Sequence, residues 1–320
     1  MDIQDIAIVG AGPTGLATAI EAHRRGLKYL VFDKGCITNS ILGFPTQMVF
    51  FTTPELLEIG GMPLISEREK PSRNEALKYY RKVVQAFGLK IRQFEEVRRI
   101  EQTGPHRFLL QTAAGEYAAN NIVLATGYYD NPNLLGIPGE DLPHVSHYYT
   151  EPYSCFDRDV VIVGGRNSAA EAALDLFRGG ARVSLVHRGA EMGSTLKYWV
   201  RPDIENRFKA GEVKAFFNAL VQGITPSTVE IVQGETPRTL QAQQVFLLTG
   251  YHSSTRFFEQ LGVPWDPETL RPQYDPETYE TPVPGVYLAG SIVGGRFNAE
   301  VFIENGRFHG ETVVKAISST

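Results

Sequence analysis

Residues 5–34 read DIAIVGAGPTGLATAIEAHRRGLKYLVFDK, residues 159–188 read DVVIVGGRNSAAEAALDLFRGGARVSLVHR, and the two stretches align without a gap. Each opens on an apolar, β-branched run that reads as a buried parallel strand. A glycine turn follows, then an Ala- and Leu-rich segment of helical period, then a second apolar strand that ends in a charged residue. Each copy is therefore a βαβ unit. The repeat predicts an α/β protein with two Rossmann-like dinucleotide-binding domains.

The glycines of the first copy have separate tasks. Gly10 makes the tight turn, Gly12 lets the backbone approach a pyrophosphate, and Gly15 lets helix and strand pack closely. The helix that starts after Gly12 points its N-terminus at the phosphates. Asp33, at the end of the second strand, accepts hydrogen bonds from ribose hydroxyls and repels a 2′-phosphate, so the first site is expected to hold an unphosphorylated adenosine, as in FAD or NAD. In the second copy His187 stands in the place of Asp33 and Arg188 follows it. A basic pair there suits a 2′-phosphate and predicts NADPH, although the two residues could also be a solvated strand end. Gly164 and Gly165 supply the turn and Ala169 takes the third small position, whereas Arg166 replaces the second glycine. Either the pyrophosphate sits farther out under Arg166, or the site binds its ligand transiently, which suits a diffusible NADPH.

Two further strands, at 122–127 and 245–250, end in Thr-Gly: Thr126-Gly127 and Thr249-Gly250. They read as paired crossings where backbone passes beside a dinucleotide. The strand at 286–291 leads to a glycine-rich turn and then to one expected helix from about Asn298 to Ile317. Its dipole is expected to face N1 and C2=O of a flavin.

A chain of 320 residues, 42% of them hydrophobic, has material for two cores. The net charge of −5 and the scattering of Lys and Arg argue against a nucleic-acid partner and for a small molecule. With no leader-like N-terminus and no run long enough for a membrane, the expected location is the cytoplasm. The two cysteines, Cys36 and Cys155, have neither CxxC nor metal-ligand spacing, and no metal is expected.

Outside the fingerprints, the chain resembles the low-molecular-weight thioredoxin-reductase-like flavoproteins, most closely the bacillithiol disulfide reductase (YpdA) branch. The resemblance is carried by Phe44-Pro-Thr-Gln-Met-Val-Phe-Phe51, Leu57-Glu-Ile-Gly60, Lys70-Pro71, Glu75-Ala-Leu77, Tyr79-Tyr80 and Ala125-Thr-Gly-Tyr-Tyr129. Gly165, Asn167-Ser-Ala169, Gly250-Tyr-His252, Tyr279-Glu-Thr281 and Phe302-Ile-Glu-Asn-Gly306 extend it over the whole chain. It implies an FAD domain from residues 1–125 and 251–320, an NADPH domain inserted at 126–250, and a homodimer. Expected FAD contacts are Gly10, Gly12, Pro13, Thr14, Gly15, Asp33, Lys34, Gln47, Val97, Thr126, Gly127, Gly290 and Ser291. Expected NADPH contacts are Gly164, Gly165, Arg166, Asn167, Ser168, Ala169, His187, Arg188 and Lys197, with Arg201 beside them.

The chain departs from its relatives in three places. Thioredoxin reductases carry a CxxC where this chain has Asn167-Ser-Ala-Ala170, so electrons cannot pass through an internal dithiol. Many members of the YpdA branch carry a cysteine at the position of Thr14, so a mechanism that needs that thiol is closed. Ser291 replaces the acid of the flavin-family Gly-Asp motif, a change the YpdA branch shares. The resemblance implies hydride transfer from NADPH to FAD and then to a low-molecular-weight disulfide or a redox protein. His252 and His309 are the candidates for protonating a leaving thiolate, and satisfied structural histidines are the alternative. Competing readings are a ferredoxin or flavodoxin NADP reductase, a non-catalytic flavin and NADPH redox sensor, and a flavin monooxygenase.

Overall fold

Ile6, Ala7, Ile8 and Val9 are buried on both faces of their strand, as a parallel strand covered on both sides requires. The computed structural model describes residues 2–297 and 299–319. Strand Ile3–Val9 pairs in parallel with Tyr29–Phe32 on one side and Glu116–Leu124 on the other. Helix Pro13–Arg24 links the first two strands, with Pro13 in its first turn, where a missing N–H costs nothing. Its neighbour is helix His309–Ser319. The two backbones approach at Gly310, where a β-carbon would stand 2.6 Å from the Thr18 nitrogen.

The chain divides into two compact units. One holds the residues up to Gly43, Met48–Asn131 and Tyr251 onward; the other holds Phe44–Gln47 and Pro132–Gly250. The sheet of the first unit runs in the order Ile91–Arg92, Tyr29–Phe32, Ile3–Val9, Glu116–Leu124, then Arg107–Gln111 and Arg99–Gly104 antiparallel. Val286–Leu288 adds in parallel to the C-terminal half of Glu116–Leu124. The sheet of the second unit runs Val213–Phe216, Arg182–Val186, Asp159–Val163, Gln244–Leu247, Val145–Ser146, all in parallel.

In both units the first strand of the βαβ repeat lies between the second strand and the strand that ends in Thr-Gly. An antiparallel excursion interrupts each unit before that last strand: Arg99–Gly104 with Arg107–Gln111 in the first, and the sheet Ala219–Ile224, Thr228–Gln233, Thr236–Gln241 in the second. This is the two-fold Rossmann-like α/β architecture that the repeat predicts. No helix among the described residues is long and apolar enough to cross a membrane.

The expected single helix near the C-terminus is corrected. Asn298, its expected start, lies outside the described residues. The chain instead forms a short helix, Ile303–Gly306, and then the separate helix His309–Ser319. The reason is packing: Gly306 lies against the Gly290 turn, where a β-carbon would meet Thr14 Oγ1 at 3.3 Å and Gly290 Cα at 3.5 Å. The chain leaves its first helical course so that His309 can enter the core. The helix long enough to carry a dipole therefore starts at His309 and not near Asn298.

Candidate dinucleotide sites

Both glycine turns are closed by the same backbone bonds. Gly10 N–H donates to Phe32 O at 2.8 Å and Ala125 N–H to Val9 O at 2.8 Å; in the second unit Gly164 N–H donates to Val186 O at 3.0 Å and Leu248 N–H to Val163 O at 2.8 Å. Gly10 and Gly164 both have positive φ, and a β-carbon on either would run into the carbonyl of the neighbouring strand, Ala125 O or Leu248 O. Gly15 fits tightly against the Gly10 carbonyl, whereas a β-carbon on Gly12 would meet nothing within 4 Å. That open space at the helix N-terminus is what a pyrophosphate needs, and Gly12 provides no side-chain cap that would compete for it.

Asp33 is held from both sides. Oδ2 accepts from Ala11 N–H at 2.7 Å and Oδ1 from Gly35 N–H at 2.8 Å. Partial burial raises its pKa against these bonds, which pull it down. One lone pair on each oxygen remains for ribose hydroxyls, so the carboxylate fits an unphosphorylated adenosine. Lys34 pairs with Asp130 at 3.1 Å, and Val97 is buried in the core of the first unit with Ile100 and Phe108. Pro13 and Thr14 open the helix, and Thr14 Oγ1 would stand 2.9 Å from a β-carbon on Gly290. Thr126 precedes Gly127, at φ 67°, and a β-carbon on Gly127 would lie 3.6 Å from Ser291 Oγ. Gln47 is exposed on the segment Phe44–Gln47, which packs with the second unit through a bond from Thr46 N–H to Thr150 O.

The second turn differs where its sequence differs. The imidazole of His187 packs into the space that a β-carbon on Gly165 would need. Burial, and then the neighbouring Arg188, lower its pKa, so it is neutral at pH 7. Arg188 is exposed and is the cation of the pair. Arg166 occupies the N-cap position of helix Asn167–Arg178 and points no side-chain bond at it. Ser168 is exposed and Ala169 is buried against Gly164.

The segment from Gly193 to Arg201 is tied to this turn as a strap, through hydrogen bonds that no local spacing records. Gly193 N–H donates to Gly165 O at 2.8 Å, Asn167 Oδ1 accepts from Lys197 N–H at 2.9 Å, and Asn167 Nδ2 donates to Thr195 O at 3.2 Å. Arg201 donates to Gly193 O at 2.7 Å. The Lys197 ammonium, an expected NADPH contact, lies on Glu171 at 2.7 Å.

The histidine candidates sit in different settings, both in the first unit. His252 Nδ1 bonds Ser253 O at 2.9 Å; a carbonyl only accepts, so this nitrogen carries the hydrogen and His252 can release a proton from Nε2 only as imidazolium. His309 is buried, and its Nδ1 accepts from Gly290 N–H at 3.1 Å. Burial lowers its pKa to about 4, so it is a neutral acceptor at physiological pH. Both cysteines are free, and among the described residues no group of His, Cys, Asp and Glu is arranged to hold a metal.

Two Rossmann-like turns, one facing an acidic strand end and one a basic strand end, define a two-dinucleotide oxidoreductase. The chain belongs to the pyridine nucleotide-disulphide oxidoreductase family, whose model matches residues 7–290. It is an enzyme of that class, and the family implies a flavin and a pyridine nucleotide. It is 43% identical over 318 residues, 99% of this chain and 98% of the relative, to the bacilliredoxin reductase Bdr of Bacillus subtilis. The bacillithiol disulfide reductase of Bacillus cereus superposes with a TM-score of 0.96 at 41% identity, covering 99% of each chain. The thioredoxin reductase of T. acidophilum, at 23% identity and TM-score 0.78 over 100% of this chain and 99% of its own, shares the fold.

Proposed function

We propose that the first unit binds FAD, the second binds NADPH, and the enzyme reduces a low-molecular-weight disulfide of the bacillithiol class without a protein dithiol. The observation that carries the reading is the contrast between Asp33, bound to the Ala11 amide, and the neutral His187 with exposed Arg188 at the same place in the other turn. Bound together, the two cofactors supply hydride transfer and a two-electron relay, by which NADPH, a proton and one disulfide become NADP+ and two thiols. Gly12 leaves room for the FAD pyrophosphate and Asp33 orients the adenosine ribose. Arg188 meets the 2′-phosphate of NADPH, Arg166 and Ser168 line its pyrophosphate, and the Gly193–Lys197 strap orders the turn.

His252 is the side chain we assign to proton delivery, because its ring is partly exposed and is oriented by the bond from Nδ1 to Ser253 O. His309 is assigned a structural part instead. The two cysteines, one in each unit and both free, support a disulfide reduced by the flavin directly. The similarity to bacillithiol disulfide reductases supports the substrate class. We also propose a homodimer in the cytoplasm; the exposed Phe51, Leu56, Phe302 and Phe308 of the first unit support a covered face.

Anaerobic stopped-flow mixing with NADPH and NADH, followed by bacillithiol disulfide, ferredoxin or thioredoxin, tests the reading. Rapid bleaching by NADPH with reoxidation by the disulfide is expected. Reoxidation by ferredoxin alone would make the protein an electron-transfer reductase, and no reoxidation would make it a sensor.

A further inference from the structure

The turn Gly290–Gly294 follows strand Val286–Leu288 and lies beside Thr14 and Gly127, two positions assigned above to the flavin. Its backbone is tied at several points. Ala289 N–H donates to Leu124 O at 2.9 Å, the buried Ser253 donates through Oγ to Ser291 O at 3.3 Å, and Ser253 N–H donates to Gly295 O at 3.0 Å. A further tie is a side chain from the far end of the chain, His309, whose Nδ1 accepts from Gly290 N–H. Gly290 has φ 80°, and Thr14 stands against it, so the residue can neither take a β-carbon nor rotate freely.

The imidazole is itself held. Tyr279 stacks on His309 with centroids 4.2 Å apart and planes 25° from parallel, and Tyr274 stacks on Tyr279 at 5.6 Å and 9°. Tyr279 has φ 60°, in the left-handed region that a β-carbon-bearing residue enters only when its surroundings hold it there. Tyr279 N–H to Asp275 O at 2.7 Å and Leu288 N–H to Tyr279 O at 2.9 Å fix that backbone. A ladder of three rings therefore runs from the partly exposed Tyr274 to a buried nitrogen that ends on one backbone amide of the turn. Filling a core does not require a polar atom here, whereas satisfying the Gly290 N–H requires an acceptor at the position of Nδ1.

We propose that His309 is a positioning residue of the flavin site, holding the Gly290–Ser291 turn in place through Nδ1, and that Tyr279 fixes the imidazole for that task. The proposal rests on the assignment of FAD to the first unit. It is tested on the full-length protein loaded with FAD, using His309→Asn, which keeps an acceptor near the position of Nδ1, His309→Leu, which removes it, and Tyr279→Leu, which leaves His309 without its stack. The readouts are FAD dissociation, followed by the fluorescence of released FAD, together with the visible flavin spectrum and midpoint potential.

His309→Leu is expected to release FAD about tenfold more readily and to shift both spectrum and potential, the loss of one buried hydrogen bond being of that order. His309→Asn is expected to stay near wild type in all three readouts, and Tyr279→Leu to fall between. If His309→Leu does not fold, the comparison of Tyr279→Leu with His309→Asn decides. Variants that melt lower yet keep wild-type FAD dissociation, spectrum and potential overturn the proposal and leave the flavin assignment intact. A wild-type protein that takes up no FAD overturns both.

Discussion

Gly165 and His187 are a matched pair: the imidazole of His187 lies where a β-carbon on Gly165 would have to be, while at the same two places of the first unit Ala11 keeps its β-carbon and its amide binds Asp33. Gly165 is therefore a glycine because of its neighbour across the turn, and its φ is not positive. Gly165→Ala is expected to lower stability by about 1–3 kcal/mol through overpacking. His187→Ala in the same chain should restore most of it. Urea unfolding of the two single variants and the double variant checks the coupling.

In the proposed reading, burial disfavours the charged form of His187 and discrimination between nucleotides is assigned to the exposed Arg188. Arg188→Ala is expected to raise KM for NADPH by roughly 10- to 100-fold, the value of a charged hydrogen-bond partner, and to leave KM for NADH nearly unchanged. Steady-state kinetics with both nucleotides decides it. Equal losses would place the 2′-phosphate elsewhere.

Asn167 bonds Thr195 and Lys197 with its two amide ends. Asn167→Ala should loosen the Gly193–Lys197 strap, raising KM for NADPH several-fold while kcat changes little, at about 0.5–1.5 kcal/mol per bond lost. Faster amide hydrogen exchange at Gly193 and Lys197 is the structural signature. Asn167→Asp keeps the acceptor for Lys197 N–H and should lie between.

The first turn separates fold from binding. A β-carbon on Gly15 would collide with the Gly10 carbonyl, so Gly15→Ala should destabilise the unit whether or not ligand is present. A β-carbon on Gly12 has open space around it, so Gly12→Ala should melt near the wild-type apoprotein temperature and fail to retain FAD. Melting curves with and without FAD test the contrast.

His309 titrates near pH 4 in the folded protein and near pH 6.5 in an unfolded chain. Between those values the unfolded chain binds a proton that the folded chain does not. The contribution of His309 to stability is therefore fully present above about pH 6.5, falls as pH drops toward 4, and is lost below. The whole step amounts to roughly 3 kcal/mol. Denaturant midpoints from pH 7 to pH 4.5 should fall more steeply for wild type than for His309→Asn.

The sequence alone determined the two βαβ units, the positions of the glycine turns, the Asp33 and His187 strand ends, and the family. All of these are written in local period and spacing, which the backbone obeys wherever it goes. The tertiary structure decided the rest. That His187 sits beneath Gly165, that Lys197 turns to Glu171, that the last helix breaks after Gly306, and that His309 reaches Gly290 all depend on side chains brought together across long stretches of chain. No periodicity records such contacts. They are set by which surfaces close packing leaves room for, so a histidine legible in sequence as a proton donor becomes, once buried and stacked, a neutral acceptor.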